Sequence, residues 1–186
     1  MGRNHYHQAT TDGHLEQILK LQGRNTEAAL SREEVAEQGF VTVQHDLDLL
    51  REMNQLDQHI IALHDQRVIG YALVMQREFE ARLPVLKPLF GQIRSLTHNG
   101  RPVEDYHYFI MGQVCVAKPF RGQGVFQGLY QCMRRCYGGR YDFVVTEVAT
   151  RNQRSIRAHE KVGFRLLRRY KHGEQWDLIY WDWQEE

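Results

Sequence analysis

Between Pro119 and Phe126 the chain reads Arg121-Gly122-Gln123-Gly124-Val125, a glycine-rich turn between an apolar run and an amphipathic one. A helix starting there leaves its first backbone N–H groups without intrahelical partners and carries partial positive charge, so such a turn binds phosphate. Glycines at 122 and 124 let the backbone curl into a concave nest and let a ligand come close. Arg121 adds a fixed cation. Residues 118–172 hold thirteen Lys/Arg against three Asp/Glu, although the net charge of the whole chain is only +1. This block is either a solvated face or the seat of a small polyanion, and the turn within it favours the polyanion. A P-loop would need Gly-Lys-Ser/Thr, and Phe126-Gln127 breaks the dinucleotide spacing, so neither nucleotide motif fits. No helix-turn-helix or aromatic-strand signature accompanies the block, and nucleic acid is not an expected partner.

A second set of residues lies downstream. Glu147 interrupts the apolar run Tyr141–Ala149, where a lone carboxylate is costly unless it has a task or a partner. It is either a proton acceptor, a partner of Arg151, or a group facing water. Asn152, Ser155 and His159 follow at i, i+3 and i+7 and would share one helix face. Histidine titrates near neutral pH, so His159 either has a use for that property or sits idle at the surface.

The elements that position these groups follow from periodicity and punctuation. Phe109–Val116 is apolar on both faces and predicts a buried strand, stopped by Pro119. A helix is predicted from Val125 to Tyr137, with Val125, Leu129, Met133 and Cys136 on its inner stripe, ended by Gly138-Gly139. Tyr141–Ala149 is the next strand, so the strand–helix–strand unit predicts a parallel pair. Asn152 caps a further helix closing at Gly163. Phe164–Tyr170 and Trp176–Trp183 form a last hairpin around residues 172–175. Upstream, helices are expected at Asp12–Leu21, capped by Asp12, and at Leu47–Leu56; a capping box marks another start at Ser31–Glu34. His59–His64 and Arg67–Met75 form a hairpin about Asp65-Gln66, and a short helix follows Pro88.

Two motifs in this order and at this separation resemble the GNAT superfamily of N-acetyltransferases. The cofactor motif of that family is Q/R-x-x-G-x-G/A after a buried strand; Arg121 to Val125 match it, and Phe126 stands where Gly or Ala is usual. Glu147 to Asn152, running into Glu160-Lys161-Val162-Gly163-Phe164, resemble its E-V-x-x-x-N…E-K-x-G-F pattern, with His159 where a tyrosine is usual. The resemblance spans residues 105–185. It implies an α+β fold: a mixed, mostly antiparallel twisted sheet with a central splayed parallel strand pair flanked by helices. It implies acetyl-CoA as co-substrate, with the main chain of Val114, Cys115 and Val116 pairing the pantetheine arm and facing the thioester carbonyl. Arg121, Gly122, Gln123, Gly124, Val125 and Phe126 would hold the pyrophosphate, and Arg121, Arg154, Arg157 and Lys161 are candidates to face phosphates. Asn152 and Ser155 would border the cofactor, Glu147 would be the base and His159 the acid or a cofactor contact. Transfer would go directly to a primary amine, of a small molecule or a peptide. A CoA-binding sensor or regulatory module without chemistry is the alternative.

The remaining features set bounds. At 186 residues and 42% hydrophobic, a single domain spanning 1–186 is expected. No run approaches the length of a membrane span and the start lacks an apolar segment, so neither a signal peptide nor a membrane partner is expected, and the location is read as cytoplasmic. Cys115, Cys132 and Cys136 are too few for a disulfide framework; Cys132 and Cys136, four apart on a predicted helix, form no metal motif and are read as small core residues, in a protein expected to be metal-free. Residues 31–57 hold seven Asp/Glu against two Arg, which is either an acidic wall for a cationic acceptor or solvated helices. Gln113 is a candidate to face that acceptor. A monomer and a homodimer are both compatible with the sequence.

Overall fold

The computed structural model describes residues 4–26, 41 and 43–184. The chain divides into two compact units, Met1–Val74 with Met111–Cys136, and Met75–Ile110 with Tyr137–Glu186.

Strands β1 (His5–Gln8), β2 (Ile60–His64), β3 (Arg67–Met75) and the later part of β6 (Tyr108–Val116) build the first unit, in that order across the sheet. β1 with β2 and β2 with β3 pair antiparallel. The β2–β3 turn is the predicted one: Asp65 and Gln66 have φ of 46° and 63°, the left-handed pair whose twist matches that of the flanking strands. Helix α1 (Asp12–Gly23) buries Leu15, Ile18 and Leu21. Its cap is Thr11 and not Asp12: the Thr11 hydroxyl accepts from the His14 N–H at 3.2 Å. Asp12 instead lies in the first turn, where its charge suits the helix dipole, and pairs with Arg51 at 3.0 Å. Arg51 belongs to α2 (Leu47–Leu56), which has the predicted span and is capped by Asp46. The start expected at Ser31–Glu34 lies outside the described residues.

Buried His59 joins α2 to β3. Its Nε2–H donates to the Leu50 carbonyl at 3.2 Å, and its Nδ1 accepts from the Val74 N–H at 3.1 Å. Both backbone groups thus find partners in a place water does not reach. Helix α4 (Val125–Tyr137) has the predicted bounds and buries Val125, Leu129 and Met133. Its stripe ends differently from expectation. Cys132 is buried but Cys136 is exposed, because the larger apolar ring of Tyr137 takes the inward position of the last turn.

In the second unit the sheet order is β6, β7 (Phe143–Ala149), β9 (Glu174–Asp182), β8 (Arg165–His172). The first residues of β6 run parallel to β7, with Tyr108, Phe109 and Ile110 opposite Phe143, Val144 and Val145. The pairings β1–β2, β2–β3, β7–β9 and β8–β9 are antiparallel, so a mixed sheet with a parallel pair forms, as predicted. β7 begins two residues later than predicted, because Asp142 is engaged in the turn before it: its N–H donates to the His107 carbonyl and its carboxylate accepts from the His107 N–H. A short hairpin, β4 (Thr97–His98) with β5 (Arg101–Pro102), was not anticipated and turns on Asn99-Gly100. Pro88 lies in the first turn of α3 (Lys87–Arg94), which buries Leu89, Phe90 and Ile93. The core around the parallel pair is aromatic: Tyr108 stacks on Phe143 with centroids 5.6 Å apart, and Phe109 packs against Tyr141 and Trp183. No helix among the described residues is long and apolar enough to cross a membrane.

Candidate active site

The glycine-rich turn belongs to the first unit. β6 ends at Val116, a 3-10 turn over Lys118–Phe120 contains Pro119, and α4 begins at Val125. Gly122 and Gly124 have φ of +74° and +77°, and a Cβ at either would meet nothing within 4 Å. The left-handed backbone, and not crowding, therefore demands glycine at both places. Gly122, Gln123 and Gly124 are exposed, and the Gln123 side chain folds back to donate to the Pro119 carbonyl at 2.7 Å. What the loop offers outward is main chain at the start of a 13-residue helix, which is the donor set a pyrophosphate requires. The ring of Phe126 packs against Tyr130 one turn further on, with centroids 5.0 Å apart, and its bulk is thereby accommodated along the helix.

Arg121 turns part of its guanidinium inward. Its Nε donates to the Val116 carbonyl at 2.9 Å and its Nη2 to the Asn25 side-chain oxygen at 2.6 Å. Asn25, 4% exposed, itself donates to the Leu21 carbonyl at 2.8 Å. The guanidinium thus satisfies two acceptors beneath the loop, joining the end of β6 to the end of α1. Of the strand residues read as cofactor contacts, Val114 is half-buried while Cys115 and Val116 are buried. Burial pushes the Cys115 thiol up to about 11, so it is a neutral group at neutral pH and no nucleophile.

Gln113 also departs from expectation. It is buried, and its Oε1 accepts from Tyr71 Oη at 2.5 Å and from Gln22 Nε2 at 2.7 Å. Its Nε2 donates to the Val43 carbonyl at 2.7 Å. The Gln22 amide in turn holds His45, with His45 N–H 2.8 Å from Gln22 Oε1. Gln113 is therefore the centre of a buried amide network and not a side chain turned to an acceptor; such networks specify one packing when every member is satisfied.

The second set of residues lies in the second unit. Glu147 is the half-buried break in β7, opposite Leu178 of β9. Its Oε2 accepts a hydrogen bond from the Tyr170 hydroxyl of β8. Burial raises the Glu147 carboxyl above its ordinary range, and the Tyr170 hydrogen bond works in the opposite direction. Arg151 is not its partner; that guanidinium pairs with Glu174 at 2.7 Å. Sequence reasoning missed Tyr170 because the contact requires the β7–β9 and β8–β9 registers together, and neither is written in local spacing.

Helix α5 (Gln153–Val162) follows β7. Asn152 caps it, accepting from the Ser155 N–H at 3.2 Å, as predicted. The C-terminal Gly163 has φ +120°, and a Cβ there would lie 2.7 Å from Trp181 Nε1. Backbone conformation and the neighbouring indole both restrict that place to glycine. His159 lies on the same face as Asn152 and Ser155, and is 1% exposed. Its Nδ1–H donates to the Ser155 carbonyl at 2.8 Å, and its ring meets Phe164 edge-on at 5.0 Å. Desolvation lowers its pKa to about 4, so the imidazole is neutral at neutral pH. Its titration thus lies below the near-neutral range expected of a free histidine, and the ring packs the inner face of α5. Arg154, Arg157 and Lys161 are exposed on the other faces. Among the described residues no group of three or more His, Cys, Asp or Glu could hold a metal ion.

A search of curated protein sequences found no match. Solved structures do resemble the chain. The ribosomal-protein-S18-alanine N-acetyltransferase of Escherichia coli is 11% identical, with a TM-score of 0.61 and coverage of 97% of this chain and 94% of that one. The protein yncA of Salmonella typhimurium, solved with its cofactor acetyl-CoA, is 15% identical at a TM-score of 0.62, covering 98% and 95%. A spermidine N-acetyltransferase chimera derived in part from Vibrio cholerae is 14% identical at 0.58, covering 98% and 96%. These likenesses establish the fold. Residues 15–164 match the model of the acetyltransferase (GNAT) family, which includes both the glycine-rich turn and the Glu147–Phe164 segment, and the chain belongs to that family.

Proposed function

We propose that this protein transfers an acetyl group from acetyl-CoA to a primary amine by direct attack. Acetyl-CoA supplies the acetyl thioester, and the chain's own residues bind, orient and move the proton. The N–H groups of the 122–126 loop and the first turn of α4 take the pyrophosphate, with Gly122 and Gly124 giving the loop its curl. The main chain of Val114–Val116 aligns the pantetheine arm. Exposed Arg154, Arg157 and Lys161 supply positive charge to the phosphates, while Arg121 braces the loop from below.

Glu147 carries the reading: a carboxylate kept in an otherwise buried strand, with its proton affinity raised by that burial. An ammonium must lose a proton before it can attack, and a carboxylate raised toward neutral pH is a better acceptor for it. Buried His159, its pKa lowered by desolvation, is held by the Ser155 carbonyl one turn earlier and packs within α5. The acceptor is an amine of a small molecule or of a peptide terminus; the likeness to an alanine N-acetyltransferase and to a spermidine N-acetyltransferase supports both classes equally.

A panel of amines incubated with acetyl-CoA, followed by release of free thiol, tests the activity. Glu147→Gln is expected to lower turnover by roughly two to four orders of magnitude while leaving acetyl-CoA binding intact. An unchanged rate removes Glu147 from the mechanism. The burial of His159, where the family commonly places an acid, favours one other reading: a CoA-binding module without catalysis. Thermal stabilisation by acetyl-CoA with no thiol release across the panel would establish that reading instead.

A further inference from the structure

We infer that Tyr170 is a positioning residue for Glu147: its hydroxyl holds the carboxylate in one orientation and favours its ionised, proton-accepting form. The inference rests on the reading of Glu147 as the base. Residues directly opposite across antiparallel strands share a face, and Glu147 stands opposite Leu178 while Tyr170 stands opposite Trp176, two residues along β9. Glu147 and Tyr170 thus lie on one face of the sheet with β9 between them. The phenol spans that strand and donates to Oε2.

The charged side chains beside Glu147 have partners of their own: Arg168, opposite Leu178 in β8, donates to Ser95 Oγ at 2.8 Å. Asp177 stands opposite Val148, on the other face, and pairs with Arg169 of β8 at 2.6 Å. Arg151 pairs with Glu174 beyond the end of β7. His159 of α5 is neutral. Burial and the Tyr170 hydrogen bond are the two influences on the Glu147 carboxyl.

The same pairing decides what Tyr170 does not do. A phenolate facing a carboxylate is doubly disfavoured, by burial and by like charge, and Tyr170 is held far above the ordinary phenol range. Its proton therefore stays on the phenol oxygen while the proton of the ammonium passes to Glu147. Tyr170 acts as a donor throughout, and it restricts a side chain whose free carboxylate would otherwise sample several rotamers.

Carbon-13 NMR of glutamate carboxyls, titrated in the wild type and in Tyr170→Phe, tests this without an acceptor. Loss of the donor removes a hydrogen bond made to the ionised form, so the Glu147 midpoint rises, by roughly one to two pH units. Replacing Tyr170 by 3-fluorotyrosine, a stronger donor of the same shape, moves the midpoint the other way. A purely structural residue would not produce opposite shifts. Unchanged midpoints in both proteins overturn the inference. Once the panel has identified an amine, the acid limb of kcat/KM follows these shifts, and Glu147→Gln abolishes the limb. If the NMR midpoint moves and the limb does not, the holding of Glu147 by Tyr170 stands and its assignment as the base falls.

Discussion

Nη2 of Arg121 lies 2.6 Å from Oδ1 of Asn25, while Nε of the same guanidinium lies 2.9 Å from the carbonyl of Val116. The arginine that opens the glycine-rich turn is thus a brace beneath the loop. This distinguishes two ways in which a cation serves a phosphate site: by touching the anion, or by fixing the backbone that does.

Substitution separates them. Arg121→Lys keeps the charge but not the fork that reaches two acceptors at once. It is expected to lower stability by about 1–2 kcal/mol in urea unfolding, as acceptors in a partly buried place lose their donor. Asn25→Ala should couple to it in a double-mutant cycle, with the two losses less than additive. Additive losses would mean that the guanidinium acts independently of Asn25.

Gly163 offers a sharper test of packing. With φ at +120° and Trp181 Nε1 2.7 Å from a would-be Cβ, Gly163→Ala strains the backbone and displaces the indole. A loss of roughly 2–4 kcal/mol is expected from the two effects together, read from denaturant midpoints, with a change in tryptophan fluorescence. An alanine variant of native stability would contradict the close approach.

Three buried histidines set the acid sensitivity of the fold. His59 is lowered to about 3 and both His45 and His159 to about 4, each chiefly by desolvation. Their folded values lie below the ordinary imidazole value of 6.5, so the unfolded chain binds protons first as the pH falls. The stability they contribute is whole above about pH 6.5 and is lost on the way down to about pH 4 for His45 and His159 and about pH 3 for His59, at about 1.4 kcal/mol per pH unit for each. Melting temperatures measured across that window should fall steeply, and less steeply in His159→Gln. Burial of Glu147 acts in the opposite sense: its raised folded value makes the ionised carboxyl costly as the pH rises through it.

Much of this protein was legible in local sequence. The bounds of α4, the caps Asn152 and Gly163, the Asp65-Gln66 hairpin and the parallel pairing of β6 with β7 all follow from short-range rules. Periodicity sets a helix, a glycine at positive φ sets a turn, and a strand–helix–strand segment admits one handed connection. The glycine-rich loop and the lone carboxylate in β7 were visible for the same reason, since each breaks a local pattern that has a cost.

What the side chains of these motifs touch was decided only by tertiary structure. Tyr170 and Glu147 are separated by 23 positions and meet because two registers bring them to one face. Arg121 turned inward because Asn25, 96 positions away in sequence, needed a donor where it lies. His159 lost its near-neutral titration to burial, and Gln113 lost its open face to Tyr71, Gln22 and Val43. Residue type and spacing determine which backbone forms and which groups could do chemistry. Burial and long-range partners determine which of those groups remain available to do it.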